Sequence, residues 1–279
     1  MAGKLSQYKE YIIQSKALGH GSRKIAKELG VGKTSINDYL RSLSFVQEAD
    51  IDVDNTQDNS RILFISDLHA PYQHAGAVEW LAMLKDKYNP TRVICVGDEC
   101  DKQSLSYHDS NPDLYSAGHE LLAARKVMKQ LHDLFPVMDI MESNHGSLHL
   151  RKALTHGIPQ AYIKSYNDIL EVGKGWTWHH DMIITLPNGQ DCYITHGKNA
   201  NGLRLSQNMG MNVVQGHHHS EFGVGYWSNP RNLYFAMAVG CLIDDKSLAM
   251  RYNKLTMKRP IIGTGLIIDS KPVLEVMPL

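Results

Sequence analysis

Asp67-Leu68-His69, Gly97-Asp98-Glu99-Cys100-Asp101, Asn144-His145, His196-Gly197 and Gly216-His217-His218-His219 are five short clusters that could do chemistry together. Their side chains offer carboxylate, amide and imidazole donors, and a set without thiolate suits manganese, iron or zinc more than a soft metal. Two such cations about 3.5 to 4 Å apart can hold hydroxide at neutral pH and brace a phosphoryl group during in-line attack. A lone histidine is more often packed or solvated than a ligand. Five clusters in this order, most of them directly behind an apolar run, read as a two-metal hydrolytic pattern.

The apolar runs are the elements that must position these side chains. Residues 61–66 have buried-strand character and end at Asp67 and His69; residues 92–96 form a second strand, ending in Gly97-Asp98. Helical spacing fills 75–88 and about 114–134, and a third strand at 137–141 stops just before Asn144-His145. Strand, helix, strand, helix, strand implies an α/β layered body with a largely parallel sheet, whose ligand sites lie at the carboxyl ends of the strands. From Trp176 onward shorter strands are expected at 182–186, 191–195, 213–215, 233–239 and 261–268, with turns such as Pro187-Asn188-Gly189 between some of them. In an extended segment His217 and His219 share a face while His218 points away.

These five clusters resemble the five motifs of the calcineurin-like metallophosphoesterases, and the likeness spans nearly all of residues 61–279. The resemblance implies a four-layer β-sandwich flanked by helices. It implies that Asp67, His69, Asp98 and His219 hold one divalent metal, and that Asp98 bridges to a second completed by Asn144, His196 and His217. Manganese is the expected ion, with iron or zinc as substitutes, and a metal-bridging hydroxide would be the nucleophile. His145 matches the family's catalytic imidazole, which protonates the leaving oxygen; Asp101 is expected to accept a hydrogen bond from it and fix its tautomer. Two positions depart from the usual third motif, Gly-Asn-His-Asp/Glu. Ser143 stands for the glycine and Gly146 for the acid, which alters the turn and removes a supporting carboxylate without removing a ligand. His108, in the segment after the second motif, and Lys198, two residues past His196, are candidate substrate contacts.

The first 45 residues differ in character. They hold eight Lys/Arg against three Asp/Glu, a net +5, whereas residues 46–60 hold five acids and no Lys/Arg. Leu5, Tyr8, Ile12, Ile13 and Ala17 recur at helical spacing; Ser22 can cap a second helix carrying Ile25, Ala26 and Leu29; and Gly30-Val31-Gly32 turns into a third with Ile36, Tyr39, Leu40 and Leu43 inward. Residues 22–31 resemble the helix-turn-helix of resolvase-like and homeodomain-like DNA-binding modules. That likeness implies that Lys33, Thr34, Ser35, Asn37 and Arg41 lie near DNA, although Asp38 on the same helix would repel phosphates. Gly32-Lys33-Thr34 is not a P-loop, because Lys27 stands where its first glycine belongs. The domains expected are therefore a small trihelical domain at 1–45, a solvated acidic linker at 46–60 and a catalytic domain at 61–279.

Bulk properties bound the function. The 279 residues are 43 % apolar with zero formal charge, enough for one large core and a small satellite. The four cysteines lack disulfide or zinc spacing, and no stretch reads as a signal peptide or a membrane span, so a cytoplasmic protein with no membrane partner is expected. The joint reading is a two-metal phosphodiesterase or nuclease directed to DNA. Its alternatives are a phosphomonoesterase or a protein or nucleotide phosphatase whose head serves localisation, and a DNA-binding regulator with vestigial activity. The pairing of such a head with such a body is similar to proteins encoded by tailed bacteriophages.

Overall fold

The structure is a computed structural model that describes residues 5, 8, 11, 12, 15, 21–37, 51–54, 56–106, 113–244, 246 and 259–278. The chain divides into two compact units, Met1–Asp50 and Ile51–Leu279. In the first, helix α1 (Ser22–Glu28) buries Ile25 and Ala26. Gly30 ends it with φ +64°, a left-handed value that glycine adopts without a Cβ penalty. A second helical run occupies 33–37, and Ile36 joins Leu5, Ile12, Ile25 and Ala26 in a small core. Ser22 is the first helical residue rather than the cap; Gly21 holds that position and no side chain bonds there. Arg41 lies outside the described residues.

The larger unit runs β1 (Ile51–Asp54), β2 (Arg61–Ile65), α2 (Ala77–Tyr88), β3 (Arg92–Cys95), α3 (Ala117–Leu134), β4 (Met138–Met141), α4 (Leu148–Thr155), α5 (Tyr166–Leu170), β5 (Trp176–His179), β6 (Asp181–Thr185), β7 (Asp191–Thr195), α6 (Gly202–Met209), β8 (Asn212–Gln215), β9 (Phe222–Ser228), β10 (Leu233–Val239), β11 (Gly263–Ile268) and β12 (Lys271–Val276). Two six-stranded mixed sheets result, ordered β12-β11-β2-β3-β4-β5 and β1-β6-β7-β8-β10-β9. Strands β2 to β5 are parallel, and β11 closes their edge antiparallel to β2.

Alternation along each strand builds the layers. Ile62 and Phe64 of β2 and Ile94 of β3 face Met182, Ile194, Val214 and Phe235 of the other sheet. Leu63 and Ile65 point the opposite way, packing with Trp80, Leu81 and Leu84 of α2 and Met128 and Leu131 of α3. On the far side Tyr193, Val213 and Ala236 lie against Leu203, Leu205 and Met209 of α6. The order is helices, sheet, sheet, helix.

One expectation is corrected here. Residues 51–54, assigned to the acidic linker, form strand β1, which pairs parallel with β6 from Ile51↔Asp181 to Asp54↔Ile184. Acidic composition reads as solvated, but these carboxylates have partners: Asp54 Oδ2 is 2.9 Å from Arg92 Nη2, and Asp52 bonds His179. Arg92 is itself buried and also grips Asp139 at 2.8 Å and Asn59 at 3.0 Å. Strands β5, β9 and β12 and the short helices α4 to α6 were not anticipated.

Candidate metal centre

The candidate ligands leave the strands through turns. Asp67 and His69 follow β2, Asp98 follows β3, Asn144 follows β4, His196 follows β7, and His217 and His219 follow β8. Asp67, His69, Asp98 and His217 have φ of +49°, +52°, +50° and +67°. Non-glycine residues hold this conformation only where their surroundings fix it, and such residues cluster at functional sites. His217 therefore does not lie on extended backbone, and its neighbour His218 donates its N–H to the Gly216 carbonyl at 2.8 Å. Both His217 and His219 do reach inward, by a turn rather than by strand alternation.

Two groups of donor atoms result. In the first, His219 Nε2 lies 3.1 Å from Asp67 Oδ1 and 3.2 Å from His69 Nε2, which is 3.6 Å from Asp98 Oδ2. In the second, His196 Nε2 lies 3.3 Å from Asp98 Oδ2, 2.7 Å from Asn144 Oδ1 and 3.2 Å from His217 Nδ1. Asp98 belongs to both. His69 Nδ1 contacts Asp101 Oδ1 at 2.6 Å and His196 Nδ1 contacts the Val96 carbonyl at 2.8 Å. Those oxygens accept, so each Nδ1 carries a proton, and once Nε2 gives up its own proton each ring presents a lone pair there to the centre. Facing lone pairs at 3.2 Å, with carboxylates between them, fit a divalent cation of the oxygen- and nitrogen-binding class in each group.

The electrostatics agree with that fit. Burial disfavours ionisation of Asp67 and Asp98, yet His219 and His69 around the first and His196 around the second hold both carboxyls below the ordinary range. Burial would likewise lower His196, but Asp98 pushes it up to about 9, and Asp101 and Asp67 push His69 well above its usual value. The centre draws positive charge onto its own imidazoles. A metal ion would replace those protons.

The expected role of Asp101 is revised. Its carboxylate lies 2.6 Å from His69 Nδ1 but 3.4 Å from His145 Nδ1, which donates instead to the Asp101 backbone carbonyl. Asp101 thus orients a candidate ligand with its side chain and His145 with its main chain. His145 is partly exposed at the mouth, its N–H donates to Asp98 Oδ1 at 3.1 Å, and its ring packs edge-on to His69 at 4.8 Å.

Ser143 and Gly146 form a matched pair. Ser143 Oγ accepts the Gly146 N–H at 2.9 Å, and a Cβ at position 146 would lie 2.7 Å from that oxygen. The same Cβ would sit 3.6 Å from both carboxylate oxygens of buried Glu99. An acid from the second motif thus stands close to where the third motif usually has one. Glu99 accepts a bond from Tyr166, and Lys102 donates to the Gly146 carbonyl and lies 3.9 Å over the Tyr166 ring. Glu99 lies inside the second cluster, but nothing in the sequence gives it this role, and nothing in their spacing marks Lys102 or Tyr166 as its companions.

The remaining candidates lie elsewhere. Lys198 Nζ is 3.0 Å from Asp181 Oδ2 and 3.4 Å from His180 Nε2, so it is engaged in an ion pair rather than free for phosphate. His108 is outside the described residues. Lys33 and Thr34 are exposed on the 33–37 helix, and Ser35 and Asn37 are half-buried there.

A pair of donor groups sharing one carboxylate, at the carboxyl ends of strands from two packed sheets, defines a metal-dependent hydrolase. Residues 60–252 match the model of the calcineurin-like phosphoesterases, and the chain belongs to that family. It is a metal-dependent phosphoesterase. No curated protein matches the sequence. Similar solved structures include Vacuolar Protein Sorting 29 from Cryptosporidium parvum, 14 % identical over 78 % of this chain and 96 % of that one, with a TM-score of 0.39. The phosphoesterase Yfce from E. coli is 14 % identical over 78 % and 92 %, with a TM-score of 0.40. Chaetomium thermophilum Vps29 is 9 % identical over 78 % and 95 %, with a TM-score of 0.38.

Proposed function

We propose that this protein hydrolyses phosphodiester bonds in DNA in the cytoplasm, using two divalent ions, manganese by preference. The observation that carries the diesterase chemistry is the pair of donor groups joined by Asp98. Asp67, His69, Asp98 and His219 would hold one ion, and Asp98, Asn144, His196 and His217 the other. Such ions supply Lewis-acid polarisation of the phosphoryl group and activation of water. The chain's own residues do the rest. His69 and His196 are held in the ligating tautomer by Asp101 and by the Val96 carbonyl. His145, its Nδ1 proton committed to the Asp101 carbonyl, delivers a proton from Nε2 to the leaving oxygen.

DNA is the substrate we infer because the basic first unit supports it. Two helical segments flank a glycine turn there, and Lys33 and Thr34 are exposed at the start of the second. No helix among the described residues is long and apolar enough to cross a membrane, and all four cysteines are buried thiols outside any disulfide. The test is incubation with Mn²⁺, labelled single- and double-stranded DNA and bis(p-nitrophenyl) phosphate. Cut DNA is the expected result. Turnover of the small diester with intact DNA under every metal would replace the nuclease by a small-molecule or protein phosphatase whose head serves localisation.

A further inference from the structure

Beside the metal centre lies a groove of about 330 Å³, at the lower end of small-molecule sites. Its near wall is Ser143 and Gly146, the residues on either side of Asn144 and His145. The groove therefore abuts the turn that carries Asn144 and His145 to the centre. Leu150 of α4, Ile163, Tyr166 of α5 and Trp178 of β5 supply apolar walls, while Ser147 and Gln160 offer hydrogen bonds.

Charge decides what this lining accepts. His149, which also lines the groove, is pulled down to about 4 by burial and by Lys102, so it is neutral at physiological pH. His180 on the rim is paired with Glu142 at 3.0 Å. Among the described residues Lys164 is the one Lys or Arg in the lining, and it is exposed at the edge. A second phosphate would find its one Lys or Arg partner, Lys164, at the edge and apolar side chains over much of the walls. A flat, neutral ring with hydrogen-bonding edges would find walls to lie against and polar groups to meet.

We propose that this groove receives the nucleobase of the nucleotide whose phosphate lies on the metal centre. The inference rests on the phosphodiesterase reading and narrows it to nucleoside esters. Tyr166 also anchors the groove to the centre through Glu99, so the base site and the turn bearing Asn144 and His145 share one support.

The experiment compares kcat/KM for thymidine 5′-(p-nitrophenyl phosphate) and its abasic counterpart, 1,2-dideoxyribose 5-(p-nitrophenyl phosphate), which share the leaving group and the sugar and differ in the base. The nucleoside ester should be favoured by about tenfold or more, the scale of one stacked base. Ile163→Trp, which fills the groove, and Ile163→Ala, which strips its wall, should each move that ratio toward one, in protein melting as the wild type does. A wild-type ratio near one, or a ratio unchanged in both variants, overturns the proposal. If neither ester is hydrolysed under any metal, the diesterase reading falls and saturation-transfer NMR decides the groove. Transfer to the base protons of thymidine 5′-monophosphate, lost in Ile163→Trp, supports it; no transfer in the wild type overturns it.

Discussion

Replacing Asp101 with Asn removes the negative charge 2.6 Å from His69 Nδ1 while keeping an acceptor oxygen of the same shape. The two side chains are 5 % and 2 % exposed, so solvent screens the interaction little. A hydrogen bond to a charged partner contributes about 1.5–3 kcal/mol, and its loss lowers the basicity of the ligand it orients. At about 1.4 kcal/mol per factor of ten, Mn²⁺ affinity should fall by about 10- to 100-fold, the range found for such supporting carboxylates. The assay is competition against a fluorescent chelator, read beside kcat at saturating Mn²⁺. The expected pattern is a weakened metal affinity with kcat largely recovered at high metal. Unchanged affinity with a depressed kcat would refute the reasoning, because it would place the carboxylate on His145, from which it stands 3.4 Å away.

Arg92→Met should destabilise the body by about 3–5 kcal/mol in urea melts, since it leaves the carboxylates of Asp54 and Asp139 without their buried partner. The metal-stripped protein should lose thermal stability with rising pH. His196 is raised from 6.5 to about 9, so its contribution is complete below about 6.5 and gone above about 9; Mn²⁺ affinity should rise over the same window as protons leave the ligands. Removing residues 1–50 should abolish DNA binding in anisotropy titrations and leave hydrolysis of the small diester intact. Removing residues 1–60 should instead lower the melting temperature, because it takes β1 and Asp54 with it.

Legibility in the sequence followed the physical signal each element carries. β2, β3 and β4 are short apolar runs bounded by polar turns, and their ends lie within two residues of where the pattern placed them. The clusters behind them stand out by residue type, and the fold brings their carboxylate and imidazole groups together as candidate ligands. β1 was missed because IDVD alternates apolar and acidic residues as a solvated tether also does. What makes it a strand is its parallel pairing with β6, with Asp54 held by Arg92, 38 residues onward, and no local pattern encodes those partners. β9 was hidden by two glycines, and α5 is only five residues long. Asp101 was recognised as a supporting acid but assigned to the wrong imidazole, because spacing cannot tell a side-chain acceptor from the carbonyl of the same residue. Glu99 and Lys102 went unread, since their meaning lies in the third-motif turn more than 40 residues away.

The fit between Ser143 and Gly146 constrains the order in which this turn can change. An aspartate introduced at 146 alone would bring its Cβ within 2.7 Å of the serine hydroxyl and its charge toward Glu99. Losing the hydroxyl alone would leave the Gly146 N–H without its acceptor. Of these penalties only the clash disappears when both positions change, so an acid at 146 is easier to admit once the serine is gone. The two positions are epistatic in that order, and Glu99 opposes the acid at 146 whatever residue stands at 143.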